Sequence, residues 1–164
     1  DKRIRLERKA FIGVVSRGAF IIEGIVKGEA EWDGSDATDR VADAVASSPH
    51  REQMRCILLD GLYMAGGNKV DAWTLYRLVN MPVILAFKDE FFNFYSDRNP
   101  WEYTFAVGSL KFYAVGLEER AAKNIIKASL GSHRLPEALI VARKIATAYN
   151  NLLRRTLTRK GSAS

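Results

Sequence analysis

Two apolar runs of this sequence each end on a charged side chain. Residues 56–59 lead into Asp60 and Gly61, and residues 83–87 lead into Lys88. A glycine-rich turn and a helical segment lie between them, which is the pattern of a β-turn-α-β unit with parallel strands. Because ligands of open α/β sheets bind at the carboxyl ends of the strands, we expect the Asp60 carboxylate and the Lys88 ammonium to form one site.

Two further carboxylates, Asp33 and Asp36, follow the second predicted strand. Together with Asp60 they would supply hard oxygen ligands, which suit Mg²⁺ or Mn²⁺. A metal ion held in this way can activate water and stabilise the leaving oxygen of a phosphodiester. Simpler interpretations stay open: Asp33 and Asp60 each precede a glycine as in a turn, Asp36 suits a helix N-cap, and Lys88 begins a charged loop.

The predicted elements that position these side chains are strands and helices in alternation. A hairpin joins strands at 11–15 and 20–25, and its second strand continues to Glu31 or Trp32. Periodicity and capping then predict a helix from Asp36 to before Ser48, the β-turn-α-β unit over 56–87, a strand at 110–115, and helices at 117–129 and 136–153. The aromatic segment 91–105 has no clean period and is left unassigned. This order favours an α/β fold with a mixed sheet flanked by helices.

Length and charge indicate one domain and a weak preference for an anionic partner. The 164 residues, 48% hydrophobic and 27% charged, suffice for one core, which we place at residues 1–155 with a basic flexible tail at 156–164. The net charge of +6 fits nucleic-acid binding. Since much of this charge lies near the chain ends, solvated tails explain it equally well.

The single cysteine, Cys56, lies in an apolar run without a partner for a disulfide, so core packing is its expected role. No apolar stretch approaches the roughly 20 residues that span a bilayer, and no signal sequence opens the chain. These features predict a cytoplasmic protein with no membrane association.

Four segments, in order, resemble the archaeal endonuclease dU family: WDGSDAT at 32–38, LLDGL at 58–62, NMPVI at 80–84 and HRLPEAL at 133–139. The family is related to endonuclease V. The resemblance implies an RNase H-like fold of the endonuclease V type. It also implies a metal-dependent endonuclease acting on DNA at deaminated bases such as deoxyuridine, with lesion-containing or single-stranded DNA as the partner.

The resemblance also implies roles for individual residues. Asp60 and Lys88 match the strand-end aspartate and the catalytic lysine of endonuclease V, and its acid between the third strand and the first helix falls on Asp36 or, less closely, Asp33. His133 matches a histidine before the last helix and would act as a proton carrier. The implied ligands of Mg²⁺ or Mn²⁺ are Asp60 and Asp36, with Asp33 and Asp1 as further candidates.

Three departures from the pattern of the relatives and of endonuclease V matter, and the first of them favours an alternative function. Relatives begin with a strand that ends in paired aspartates, and this sequence starts too late to contain it, with Asp1 as a possible remnant. The His-Pro pair after Asp-Gly is replaced by residues 64–66, and a Pro-Tyr-Ile-Pro wedge for opening the duplex is missing. The alternative is a non-catalytic domain of RNase H-like fold that binds nucleic acid or a protein.

A third interpretation uses the loop at Gly66 and Gly67 to bind a small-molecule phosphate. The loop lacks the Lys-Ser/Thr continuation of a P-loop, so this interpretation ranks last.

Overall fold

The computed structural model describes residues 7–87 and 101–161, with side chains to residue 159. The strands are β1 (Arg8–Arg17), β2 (Ile21–Glu31), β3 (Ile57–Asp60), β4 (Tyr63–Met64), β5 (Asn68–Lys69), β6 (Val83–Phe87), β7 (Glu102–Val107) and β8 (Leu110–Val115). The helices are α1 (Ala37–Ala46), α2 (Ala72–Val79), α3 (Glu119–Ser129) and α4 (Glu137–Gly161).

Strands β1 and β2 form a long antiparallel hairpin. Its turn contains Gly18 at φ +60°, a conformation that glycine adopts without strain. The register shifts between Val15 and Ser16, where the ladder has an irregularity. The predicted hairpin, including its extension to Glu31, is confirmed.

The second sheet has four strands in the order β3-β6-β8-β7. Strands β3 and β6 are parallel and are joined through α2, as the β-turn-α-β pattern predicts. Strands β8 and β7 add antiparallel neighbours, so the sheet is mixed. In the described part of the chain the β1-β2 hairpin is not hydrogen-bonded to this sheet, and β4 and β5 form a small sheet of their own, so three sheets stand where one was expected.

Helices cover both faces of the four-stranded sheet. Leu85 and Val115 point to a cluster shared with α1 and α2. Ile84 and Phe112 point to a cluster shared with α3 and α4. Because β6 is buried on both faces, it reads as a continuous apolar run rather than as an alternating one. The predicted α/β class with flanking helices is confirmed at this level.

Two element predictions need correction. Strand β7 lies in the segment left unassigned, since dense aromatic residues conceal the alternation of an edge strand. Helix α4 continues to Gly161, so residues 156–161 are helical and not a tail. The hydroxyls of Thr156 and Thr158 donate to the carbonyls of Leu152 and Arg154, one turn earlier. Both hydroxyls therefore have hydrogen-bond acceptors within the helix.

Candidate active site

Asp60 lies at the end of β3 and is bound by an arginine from α4. The Nε and Nη2 atoms of Arg143 donate to Asp60 Oδ2 and Oδ1 at 2.8 and 2.7 Å. This bidentate geometry is the strongest form of an arginine–carboxylate pair. The bond to Asp60 raises the pKa of Arg143. The Asp60 side chain is 35% exposed, so the pair is accessible to a ligand.

Asp36 lies at the junction of β2 and α1 and is enclosed by donors. Its Oδ1 accepts from the Glu31 amide at 3.0 Å and from Asn68 Nδ2 at 2.8 Å. Its Oδ2 lies 3.3 Å from Arg8 and 3.0 Å from Arg40. Asp36 precedes α1 as predicted, but its side chain does not cap the helix.

The charge of Asp36 is stabilised by this environment. Burial alone acts to raise the pKa of Asp36, but the hydrogen bonds from Glu31, Asn68 and Arg40 and the charge of Arg8 outweigh it and lower the pKa to about 2. Asn68 in turn is fully buried, and it accepts from the Ala37 amide at 2.9 Å. Asp36 and Asn68 together therefore fix the start of α1.

Asp33 holds the glycine-rich turn in place. Its Oδ1 accepts from the Gly67 amide at 2.8 Å, and its own amide donates to the Ala65 carbonyl. Gly66 has φ +80°, and a Cβ there would lie 2.2 Å from Asp33 Oδ1. The glycines thus allow the turn to lie close to Asp33. The bond to Asp33 occupies the Gly67 amide, which a phosphate would need in the phosphate-loop interpretation.

His133 precedes α4 and pairs with a residue of its first turn. His133 Nδ1 lies 2.7 Å from Glu137 Oε1. The bond to His133 lowers the pKa of Glu137. Neither the His133 nor the Glu137 side chain is among the described partners of Asp60 or Asp36.

The structure places the predicted site residues in three groups: Asp60 with Arg143, Asp33 and Asp36 with the turn at 65–68, and His133 with Glu137. Lys88 and Asp1 lie outside the described residues. Within the described ranges, no three His, Cys, Asp or Glu side chains lie close enough to hold a metal ion. As arranged, these carboxylates bind arginine or amide donors and do not by themselves fit a divalent cation.

Asp60 also borders a cavity of about 840 Å³ between the hairpin and the four-stranded sheet. Strands β1 and β3 form two of its sides, and residues of α1 and α4 close the others. Arg143, which binds Asp60, and Lys9 are among the residues that line the cavity, and Lys9 Nζ also lies 5.0 Å from the ring centre of Trp32. The cationic side chains of Arg143 and Lys9 would favour an anionic ligand in this cavity.

Sequence reasoning missed the partners of the predicted acids. In the sequence Arg143 lies among the apolar positions of the last helix, such as Leu139 and Ala146, and that position is itself a signal, because a charge on such a face needs a partner. Arg8, Arg40 and Asn68 carried no local signal. Cys56 packs as predicted, and burial raises the pKa of its thiol to about 12.

No helix among the described residues is long and apolar enough to cross a membrane.

Comparison with known proteins shows consistent similarity to one archaeal family. The profile of the family described as Endonuclease dU matches residues 3–93. A UPF0215 protein of Methanopyrus kandleri is 33% identical over 162 residues, covering 86% of this chain and 82% of that protein. A UPF0215 protein of Thermococcus kodakarensis is 30% identical, covering 90% and 85%.

A solved structure is also similar. The crystal structure of a protein of unknown function from Archaeoglobus fulgidus matches with a TM-score of 0.70 and 25% identity. The match covers 86% of this chain and 98% of that one. The architecture described above is therefore shared with a relative whose structure was determined by experiment.

Proposed function

Since the chain belongs to the Endonuclease dU family, we propose that it is an endonuclease that hydrolyses phosphodiester bonds in DNA at deaminated bases such as deoxyuridine. The observation that carries the proposal is the accessible Asp60 carboxylate, which is bound by Arg143 and lines a cavity. An acid and a guanidinium so placed can act on opposite parts of one phosphodiester. We also propose that the fold is RNase H-like, in support of which the hairpin, helix and parallel strand pair follow one another in the expected order.

Cationic side chains support a phosphate ligand. Arg143 donates two of its five N–H groups to Asp60, and the other three are left for phosphate oxygens. Arg8 and Arg40 both bind Asp36, and Lys9 is among the residues that line the cavity. Arginine binds phosphate through planar, bidentate hydrogen bonds, so this surface suits a nucleic-acid backbone.

The roles of the remaining residues follow from their positions. Asp60 accepts hydrogen bonds and is the candidate for orienting the attacking water. Lys88, which follows β6 in the sequence, would stabilise charge on the phosphate. His133, held by Glu137, would move a proton near neutral pH. We further propose dependence on Mg²⁺ or Mn²⁺, for which Asp60 would have to exchange its hydrogen bonds from Arg143 for the metal ion and other groups would have to complete the ligand set.

The test is cleavage of end-labelled oligonucleotides that carry one deoxyuridine or one deoxyinosine, beside an undamaged control. Reactions with Mg²⁺, with Mn²⁺ and with EDTA run in parallel. Asp60→Ala and Lys88→Ala should abolish cleavage at the lesion, and His133→Ala should slow it about a hundredfold or more. Asp43→Ala and Lys144→Ala are matched surface controls that should cut normally. Full activity of Asp60→Ala protein would refute the proposal.

A second function, binding without catalysis, is favoured by one observation. Asp60 and Asp36, the first two carboxylates that the resemblance implies as metal ligands, are each paired with arginine. A domain of this kind would bind the same oligonucleotides with every metal and cut none. Its affinity would persist or rise in Asp60→Ala protein, because the substitution frees Arg143 for phosphate.

A further inference from the structure

The outer edge of β2 carries exposed apolar side chains. Strand β1 pairs with one edge of β2, and among the described residues no strand pairs with the other edge. The strand has eleven residues, and its isoleucines Ile21, Ile22 and Ile25 are 55%, 52% and 55% exposed. A long edge strand with exposed apolar side chains is a template for pairing with a further strand. This edge of β2 therefore has the character of an interface.

The hydrogen bonds of β1 show which residues of β2 point outward. The Ala10 amide donates to Asn150 Oδ1 at 3.2 Å, and the Ala10 carbonyl accepts from Asn150 Nδ2 at 2.8 Å. Neither Ala10 group is thus directed at β2, and Glu29, its partner in the ladder, points away from β1. Because alternate residues of an antiparallel strand point to the same side, Ile25 and Lys27 also direct their N–H and C=O groups outward.

Only part of this edge is left open by the chain itself. Arg8 Nη2 donates to the Glu29 carbonyl at 3.0 Å, and the Glu31 amide donates to Asp36 Oδ1 at 3.0 Å. Toward the turn, the irregularity in the hairpin register interrupts the regular strand. The open part of the edge is therefore residues 23–27, which span about 17 Å at 3.4 Å per residue.

The charges of this open part match a reversed copy of the same sequence. Glu23 and Lys27 lie two residues before and two residues after Ile25. A two-fold axis at Ile25 places Glu23 opposite Lys27 of a second copy, twice, and places Ile25 opposite its own counterpart. A register centred one residue later would place Glu23 opposite Glu29 instead, and like charges directly opposite each other are destabilising. The charges therefore select Ile25 as the centre.

Both charged side chains are held in position and keep bonding capacity for a partner. Lys27 Nζ donates to the Tyr149 hydroxyl at 2.9 Å and lies 4.9 Å from the centre of that ring, which leaves two of its three N–H groups. Glu23 Oε1 accepts from Arg17 at 2.6 Å, which leaves Oε2 for a second donor. Side chains that are already ordered lose less conformational entropy when they pair across an interface.

We propose that this protein forms a symmetric dimer in which the β2 edges of two copies pair antiparallel about Ile25. The two hairpins then form one continuous four-stranded sheet, in which Ile25 exchanges two backbone hydrogen bonds with its counterpart. The exposed turn residues Phe20, Ile21 and Ile22 of each copy lie beside the far end of β2 of the other copy. The proposal goes beyond the proposed function and does not depend on it, since pairing at this edge requires no cleavage.

Sedimentation velocity of the full chain from about 1 to 100 µM tests the association. The 18.4 kDa monomer should give way to a species of twice that mass as the concentration rises. Ile25→Lys places like charges on the axis and should weaken association about tenfold or more. Leu78→Lys, on α2 at a matching 54% exposure, should change it less than about twofold. A monomer at every concentration would overturn the proposal, and so would equal association of the two variants.

Reversed charges test the register. Glu23→Lys and Lys27→Glu each place like charges opposite each other in both pairs, so each variant alone should associate about tenfold or more weakly. An equimolar mixture of the two variants restores opposite charges in both pairs and should form a mixed dimer. Sedimentation with a fluorescent label on the amino terminus of one variant detects it, and circular dichroism verifies folding. Failure of the folded variants to associate in the mixture would refute the proposed pairing.

Amide hydrogen exchange tests the location of the interface. Exchange at Ile25 and Lys27 should be about tenfold or more slower at about 100 µM than at about 1 µM. Strand β7, an edge of the four-stranded sheet, should exchange equally at both concentrations. Slow exchange at Ile25 that does not depend on concentration would mean that another segment of the same chain covers the edge, and it would overturn the proposal. A dimer with unchanged exchange at Ile25 would place the interface elsewhere and overturn it as well.

Discussion

The guanidinium of Arg143 binds both carboxylate oxygens of Asp60, at 2.7 and 2.8 Å, and so connects the end of β3 to α4. The two residues are 83 positions apart in the chain. Their side chains are 49% and 35% exposed, so the pair remains open to solvent and to a ligand. It is accordingly a feature of the site more than a source of stability.

The first prediction concerns the strength of this pair. Asp60→Asn and Arg143→Gln should each lower the free energy of unfolding by less than about 1 kcal/mol, and the double-mutant cycle should give a coupling of about 0.5 kcal/mol. Urea titration measures the three variants against the unaltered chain. A coupling above about 2 kcal/mol would mean that the pair is a structural bridge instead.

The second prediction concerns the buried amide of Asn68, which bonds Ala37, Glu31 and Asp36 at once. Asn68→Ala should destabilise the fold by about 2 to 3 kcal/mol, since it leaves a buried donor and acceptors unsatisfied. Thermal and urea unfolding provide the measurement. Lys69→Ala, at the exposed neighbouring position, should stay within about 0.5 kcal/mol. A similar loss in both variants would contradict the assigned role.

The third prediction is a pH dependence that originates at Asp36. Its pKa is about 2 in the folded chain and 3.8 ordinarily, so the unfolded state takes up the proton first as pH falls. The resulting stability is present above about pH 4 and is lost between about pH 4 and 2, by at most about 2 kcal/mol. Urea unfolding from pH 6 to 2 should show a smaller loss in Asp36→Asn protein. Equal pH profiles for both proteins would remove Asp36 as the cause.

The fourth prediction compares adjacent glycines in one turn. Gly66→Ala forces a side chain into φ +80° and into the oxygen of Asp33, and it should cost more than about 2 kcal/mol. Gly67→Ala places its Cβ 3.6 Å from the same oxygen, an ordinary contact, and should cost less than half as much. Chemical denaturation ranks the two variants, and the reverse order would exclude the described turn.

The fifth prediction compares adjacent asparagines on α4. Asn150 is buried and bonds both backbone groups of Ala10, whereas Asn151 is exposed. Asn150→Leu should destabilise the fold by about 2 kcal/mol because the Ala10 groups lose their partner. Asn151→Leu should have little effect on thermal unfolding. Equal stability of the two variants would show that water or another group replaces the Asn150 amide.

Local patterns in the sequence determined most of the elements and their order along the chain. The apolar run into Asp60, the helix capped by Asp71 and the run of residues 83–87 are each readable from fewer than ten residues, because periodicity and capping depend on near neighbours. The same short motifs identified the family. Strand β7 was not predicted because its aromatic residues show no alternation of apolar and polar positions.

Only the tertiary structure decided what surrounds the acids and how the sheets are arranged. Arg143 binds Asp60, and Arg8 and Asn68 enclose Asp36, and each of these contacts joins residues that are 28 or more positions apart. The hairpin and the four-stranded sheet, which were expected in one sheet, are separate in the described residues. Such contacts depend on how whole elements pack, and a linear pattern carries no record of that packing. The sequence alone thus determined which carboxylates end the strands, and the packing of α4 and the hairpin decided what each of them binds.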